Sequence, residues 1–578
     1  MNLFTRFLLC FLLVIPGLAS AQAHDDAKST LIIGSTFKDH KFDPALVYFT
    51  WDYRLSPALF ETLLVLGEDG LSLEPGVAES WEVSDDGLLY TFHLRDDARW
   101  SDGSAVVADH FVSGWFRALM PDTQVHVNTL HDLIDGAFGI YEKRQAFIQQ
   151  WVDRDENAPL RAVRQNWKQL REAYTKSVWA EGEHTLKVKL ARPAPHFPYL
   201  VIHPVFAPLP GRMMENDFDI KMDFAGRTKL MSGVFSDPEK ALFNGPYRLE
   251  KRPERQGDIY LVANEQYWDR ERVGCRRIHI RVFDDQVAML DGHNRGETDW
   301  VPSLLYSEEL EQMILADRPD VHVTPQVGTY YYEFNCRAEI NGKVNPFADP
   351  KLRRALAHLF DRKAMAKVMG LLHAPQLSFI PPETMPRYEP AESSLARFDV
   401  ERAKRLLTEA GYDNLKELGQ ITILVNEESS HADAARTLIK NLKAVGLEVR
   451  LEAPRFSEYL KRSEEGGFHL RRAGWYADFH DPVAFLDLQA PWSDTESGFE
   501  DSRFKKKYYD GVVASDVEQR LQLLREAEAM LLEQAVVVPI SQYHGVSLHD
   551  QSKVRVSCHA WGYSRLDRIR KVAKNARD

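Results

Sequence analysis

Residues 467–486 read Gly-Phe-His-Leu-Arg-Arg-Ala-Gly-Trp-Tyr-Ala-Asp-Phe-His-Asp-Pro-Val-Ala-Phe-Leu. Taken as a strand, the stretch puts Phe468, Leu470, Arg472, Gly474, Tyr476 and Asp478 on one face, because successive side chains alternate. A cation and a carboxylate then share one side of a mostly apolar segment. At a rise of ~3.3 Å per residue they stand up to roughly 20 Å apart, enough to bracket a short extended chain. Asp481-Pro482 reads as an N-cap followed by Pro at the first helical position, so a helix is expected from Val483. Charge carried from a strand into the loop before a helix is the usual setting of an α/β ligand site. The bland alternative is a buried strand whose two charges pair with each other or with neighbouring strands.

Ala473 to Pro482, with Phe485-Leu486, closely resembles a motif of the oligopeptide-binding branch of extracellular solute-binding protein family 5, the receptors of peptide ABC importers. Other runs resemble the family too: Pro75 to Trp81, Ala98 to Gly103, Asn244 to Tyr247, Asn264 to Trp268, Gly296 to Asp299 and Thr329 to Asn335. The resemblance implies an α/β, two-lobed periplasmic-binding-protein fold (class II-like, cluster C) with an extra domain and mixed sheets flanked by helices. The expected division is a signal peptide, 1–21; lobe I, 22–57, 203–327 and 545–578; an extra domain, 58–202, with a helical elaboration at about 123–185; and lobe II, 328–544.

The same resemblance implies roles. Asp478 matches the carboxylate that grips a peptide's α-amino group. Arg472 and His431 match two cationic groups facing its C-terminal carboxylate, often through water. A third cation of that set falls near Gly370, where no lysine stands, which leaves carboxylate recognition open. Gly474, Trp475 and Tyr476 match the strand whose backbone pairs with the ligand, and Tyr48, Phe49 and Thr50 the strand on its other side. The branch's disulfide joins positions equivalent to Gly328 and Tyr476, neither of them cysteine.

Composition bounds the rest. At 578 residues the chain is long enough for two or three domains, and its net charge of −13 argues against nucleic acid as a partner. Arg6, the apolar run Phe7 to Leu18 and Ala19-Ser20-Ala21 read as a signal peptide cleaved after about Ala21. The expected location is therefore the periplasm. Cys10 lacks the small residues that precede a lipoprotein cysteine, and Cys275, Cys336 and Cys558 allow at most one internal disulfide.

Along the chain, 105–120 reads as an amphipathic helix with Phe111, Trp115, Phe116 and Leu119 inward, and Trp81 and Trp100 as core. The charges of 141–178 read as a solvated face. Asp349-Pro350 and Asp399 read as helix starts. Strand 421–425, helix 431–445 and strand 447–451 form a parallel crossover. Helix 516–534 precedes a buried strand at 536–540, and the basic tail from Arg565 is expected to fray.

These readings point to a receptor and not an enzyme: no Gly-x-Ser-x-Gly, His-Glu-x-x-His or phosphate-binding loop appears. No cofactor and no metal are expected, although some relatives of this fold carry nickel; His544, His549 and His559 are spaced too widely for a compact site. The expected partners are short peptides and a membrane permease, with the chain monomeric. Dipeptide, murein-peptide or opine binding stays open within the same class.

Overall fold

The computed structural model describes residues 30–47, 50–123, 133–154, 158–211, 213, 220–222, 228–230, 233–384, 387–490, 497–562 and 564–572. The signal segment, its cleavage site, Tyr48 and Phe49 lie outside them.

The framework is one mixed sheet. Its strands in chain order are β1 (Thr30–Ser35), β2 (Tyr247–Leu249), β3 (Ile259–Ala263), β4 (Arg277–Val282), β5 (Trp300–Val301), β6 (Val321–Phe334), β7 (His373–Pro375), β8 (Gln420–Leu424), β9 (Glu448–Glu452), β10 (Leu470–Tyr476) and β11 (Val537–His549). In space they run β2-β3-β4-β1-β5-β11-β6-β10-β8-β9, with β7 also paired to β11. Alternating apolar residues drive the pairing: Leu31 and Ile33 of β1 are fully buried beside Ile278 and Ile280 of β4. Strands from before residue 302 lie on one side of the β11–β6 pair, and β8, β9 and β10 on the other. The two central strands, 13 and 14 residues long, join the two halves. Their register slips between Pro325 and Thr329, where Pro325 has no N–H to offer the ladder.

The elements between β1 and β2 include α1 (Thr50–Leu59), a four-stranded antiparallel sheet ordered 78–83, 89–94, 185–189 and 178–180, and the helices α2 (Ala108–Leu119), α3 (Ala137–Val152) and α4 (Leu160–Tyr174). Phe111, Trp115, Phe116 and Leu119 of α2 are all buried, as their spacing predicts. So is Trp100, whereas Trp81 is only half-buried at the core's edge. The solvated-face reading of 141–178 fails at Arg144. Its guanidinium is fully buried and bonds Asp122 twice, at 2.7 and 2.8 Å, with Asn166 at 2.8 Å. Burial of that charge is tolerated because the carboxylate and amide satisfy it.

α2 lies against the 206–209 segment: Trp115 Nε1 donates to the Phe206 carbonyl at 2.6 Å, and Leu209 N to His110 O at 2.8 Å. Gly114 makes that approach possible, since a Cβ there would stand 2.4 Å from the Ala207 carbonyl oxygen. Gly114→Ala is expected to cost about 1–3 kcal/mol of stability by overpacking, read as a lower denaturant midpoint with unchanged slope.

In the second half, Asp349 and Asp399 cap their helices through Lys351 N and Arg402 N. The crossover β8, α5 (Ser429–Ala444), β9 is parallel, as expected. α6 (Phe456–Glu464) leads to β10, and α7 (Val517–Glu533), capped by Asp516, leads to β11. The tail does not simply fray from Arg565. Arg565 and Arg568 bond Asp567 and Asp269, and Arg570–Lys571 pairs with Val554–Arg555. Cys275, Cys336 and Cys558 are all free thiols.

Candidate ligand-binding site

β10 is the expected strand, and its two edges differ. One edge pairs with β6 along its whole length, from Phe334 opposite Leu470 to Gly328 opposite Tyr476. The other meets β8 only at Leu470 and Arg471. Asn335 N donates to His469 O and Ala477 N to Val327 O, both at 3.0 Å, so the odd-numbered main-chain groups serve β6. By alternation, Arg472, Gly474 and Tyr476 turn theirs to the other edge, where Tyr459 Oη donates to the Arg472 carbonyl at 2.5 Å. At Gly474 and Tyr476 that edge has no strand partner among the described residues. Trp475 serves the sheet instead. Its backbone faces β6, and its indole N–H donates to Ala484 O at 2.8 Å.

Arg472, Gly474 and Tyr476 also share a side-chain face. The Tyr476 ring stacks on Tyr543 of β11, centroids 4.7 Å apart at 15°. Two glycines make room for this stack. A Cβ on Gly474 would lie 2.3 Å from Tyr543 Oη, and one on Gly328 would lie 2.6 Å from the Tyr476 ring. The place of the branch's disulfide is thus taken by an aromatic ring folded over a glycine.

Behind the stack, Arg472 Nη2 donates to His431 Nε2 at 2.5 Å, and Glu428 lies 3.0 Å from the same nitrogen. The Tyr330 and Tyr459 rings flank the guanidinium at 5.6 and 5.8 Å. Burial and the Arg472 charge push His431 down to about 3. His431 is therefore a neutral acceptor in the first turn of α5, not the second cation that the resemblance implies. It is also buried and not a solvated helix-start residue.

Asp478 lies two residues beyond β10 and lines a cavity of about 540 Å³, between α1, the 199–204 and 300–306 segments, the 544–547 end of β11 and the 558–564 loop. It faces the solvent in this cavity, and no hydrogen bond or ion pair ties it down among the described residues. The surrounding protein still desolvates it, which raises its carboxyl to about 6. Tyr53 of α1, held to His203 Nε2 at 2.8 Å, feels the charge of Asp478.

Of the expected binding residues, Tyr476 and Asp478 line this cavity, whereas Arg472, His431, Gly474 and Trp475 do not. Thr50 is not in a strand. It opens α1, with Asp52 in the first turn complementing the helix dipole. That helix brings Tyr53, Arg54 and Pro57 to the cavity. Sequence reasoning missed these three, along with Tyr306 and Trp561, because no local pattern joins residues so far apart in the chain. Tyr306 crowds Gly370: a Cβ there, at φ +100°, would lie 2.7 Å from the Tyr306 ring.

Asp481 has the structural role expected of it and one more. Its Oδ1 caps Val483 N at 3.0 Å, at the start of a single helical turn (Val483–Leu486), and both its oxygens take Arg520 of α7 at 2.8 Å. Burial would raise this carboxyl, but Arg520 and His196 beside it hold it below the usual range. His544 and His559 line the cavity, while the His549 ring lies against His322, centroids 3.9 Å apart and tilted by 30°. Among the described residues no group of three or more His, Cys, Asp or Glu could hold a metal ion, and no helix is long and apolar enough to cross a membrane.

Residues 72–497 match the model of the bacterial extracellular solute-binding proteins, family 5 Middle. The periplasmic oligopeptide-binding protein OppA of Escherichia coli (strain K12) is 29% identical over 530 residues, covering 89% of this chain and 87% of that protein. The periplasmic murein peptide-binding protein MppA of the same organism is 30% identical over 513 residues, covering 87% and 85%. Among solved structures, the unliganded open form of the murein tripeptide binding protein MppA superposes with a TM-score of 0.77 at 26% identity, covering 95% of this chain and 98% of that one.

Proposed function

The chain belongs to family 5 of the bacterial extracellular solute-binding proteins, and from that premise we propose that it is a periplasmic receptor that captures short peptides and delivers them to the membrane permease of an ABC importer. The observation that carries this reading is the open main-chain edge of Gly474 and Tyr476, followed two residues later by the unpaired Asp478. An extended peptide added to that edge exchanges main-chain hydrogen bonds whatever its side chains are. Its α-ammonium then meets the carboxylate that the fold leaves without a counter-ion.

Signal-peptide cleavage near Ala21 releases the mature chain into the periplasm, where it works as a monomer and binds no nucleic acid. Lobe I (22–57, 203–327 and 545–578) carries the extra domain 58–202, and lobe II spans 328–544. The lobes close on the ligand because both contact it, and the closed form docks on the permease. The receptor transforms no bond.

Native mass spectrometry of protein purified from an exporting host, followed by denaturation and sequencing of what is released, tests this. Mixed short peptides are the expected result. One defined non-peptide compound, or a protein that is empty and ignores a peptide library, would overturn it.

A further inference from the structure

The cavity that Asp478 lines contains a second charge without a counter-ion among the described residues. Arg54 of α1 lines it, with the whole residue only 3% exposed. Its Nη2 donates to the main-chain carbonyls of Gly562 and, at 3.5 Å, Pro302, and the Trp51 ring lies 5.4 Å away. Nε and Nη1 are buried and have no hydrogen-bond partner, and among the described residues no carboxylate forms an ion pair or hydrogen bond with the group. Burial lowers even this guanidinium to about 10. Arg144 and Arg520, also buried, rest on acids, Asp122 and Asp481, whereas the buried Arg353 and Arg362 donate to main-chain carbonyls through Nε and Nη1, the two nitrogens that Arg54 leaves unpaired. A buried cation left without an anion is costly, and so is a desolvated carboxylate left without a cation. Here both flank one space.

The other basic side chains on the described walls are imidazoles, those of His203, His480, His544 and His559. Burial pushes His203 down to about 3, His559 to about 4 and His480 well below its ordinary value. Arg472 and His431 stand outside the cavity, behind the Tyr476–Tyr543 stack.

We propose that Arg54 is the carboxylate-reading residue of this receptor, so that its ligands are compact zwitterions, di- and tripeptides, held with the amine at Asp478 and an acid group at Arg54. This rests on the peptide-receptor reading above. A volume of about 540 Å³ is that of a site for a small molecule. On binding, the guanidinium exchanges the Gly562 and Pro302 carbonyls for the ligand's carboxylate, a charged and bidentate acceptor that satisfies the fork far better. The anion is either the α-carboxylate or an acidic side chain, since both present the same group.

Isothermal titration of the mature, ligand-free protein with dialanine, trialanine, their C-terminal amides, their N-acetyl forms and alanyl-glutamate amide tests this. The free acids are expected to bind about 30-fold or more tighter than the amides. In Arg54→Met the two should bind alike, and Arg54→Lys, which keeps the charge and loses the fork, should fall between them. Thermal melts check that the variants fold, and the acid-to-amide ratio of the unmodified protein needs no variant. Recovery of tight binding by alanyl-glutamate amide would identify a side-chain acid as the group read; no recovery would identify the α-carboxylate. An acid preference that survives Arg54→Met, or that is lost in Arg472→Gln instead, overturns the proposal. Equal binding of acids and amides by the unmodified protein, with N-acetyl peptides still rejected, overturns it and leaves the peptide receptor standing. Binding of no peptide at all overturns both.

Discussion

Asp478→Asn is expected to weaken free-amine peptides by about 2–5 kcal/mol, roughly 30-fold or more, while N-acetylated peptides, already weak, change little. The asymmetry follows from the site. Asp478 has no internal cation to lose, so its replacement by a neutral isostere removes only what the ligand's ammonium would have met. The pH dependence has a definite sign. Desolvation by the surrounding protein raises this carboxyl to about 6. An ammonium beside it lowers the value again, so binding releases a proton below about pH 6. Affinity should fall by about tenfold for each pH unit below that point, stay flat between about pH 6 and 7, and decline again as the peptide's α-amino group, with an ordinary pKa of about 8, loses its proton. Asp478→Asn should flatten the acid limb. Calorimetry of matched free and acetylated peptides between pH 4.5 and 8 measures both effects, and equal losses for the two peptide classes would remove the amine-anchor role.

The second large effect is on stability. Arg520→Met should cost about 3–5 kcal/mol, because it strands the Asp481 carboxylate in the interior without its partner. Asp481 is fully buried and Arg520 2% exposed, so solvent cannot step in. The pair also ties α7 to the loop that carries Asp478, so ligand affinity should drop in parallel. The Asp481 carboxyl is held below its unfolded value, and its contribution is therefore present above about pH 4 and lost as pH falls through the folded value. A variant lacking the arginine should lose stability at neutral pH and show a shallower acid limb. Urea midpoints at pH 7 and pH 4 check this, and a loss under 1 kcal/mol at neutral pH would contradict it.

What the sequence determined by itself is the family, the chain order of strands and helices in the second half, and the face shared by Arg472, Gly474 and Tyr476. These depend on period-2 alternation, on Asp and Pro at helix starts, and on a long run of residues in fixed spacing, all of which are local. The position of Asp478 just beyond that strand was legible for the same reason. The tertiary structure decided everything that needed a partner from elsewhere in the chain. It made Arg144 a core residue, because Asp122 meets it there. His431 became neutral, because Arg472 and a dry surrounding act on it together. Thr50 was moved from an expected strand to a helix start, and Arg54, unremarkable in the sequence, became a buried cation facing the same cavity as Asp478. Charge state and burial are set by neighbours tens or hundreds of residues away, and a linear pattern does not record them.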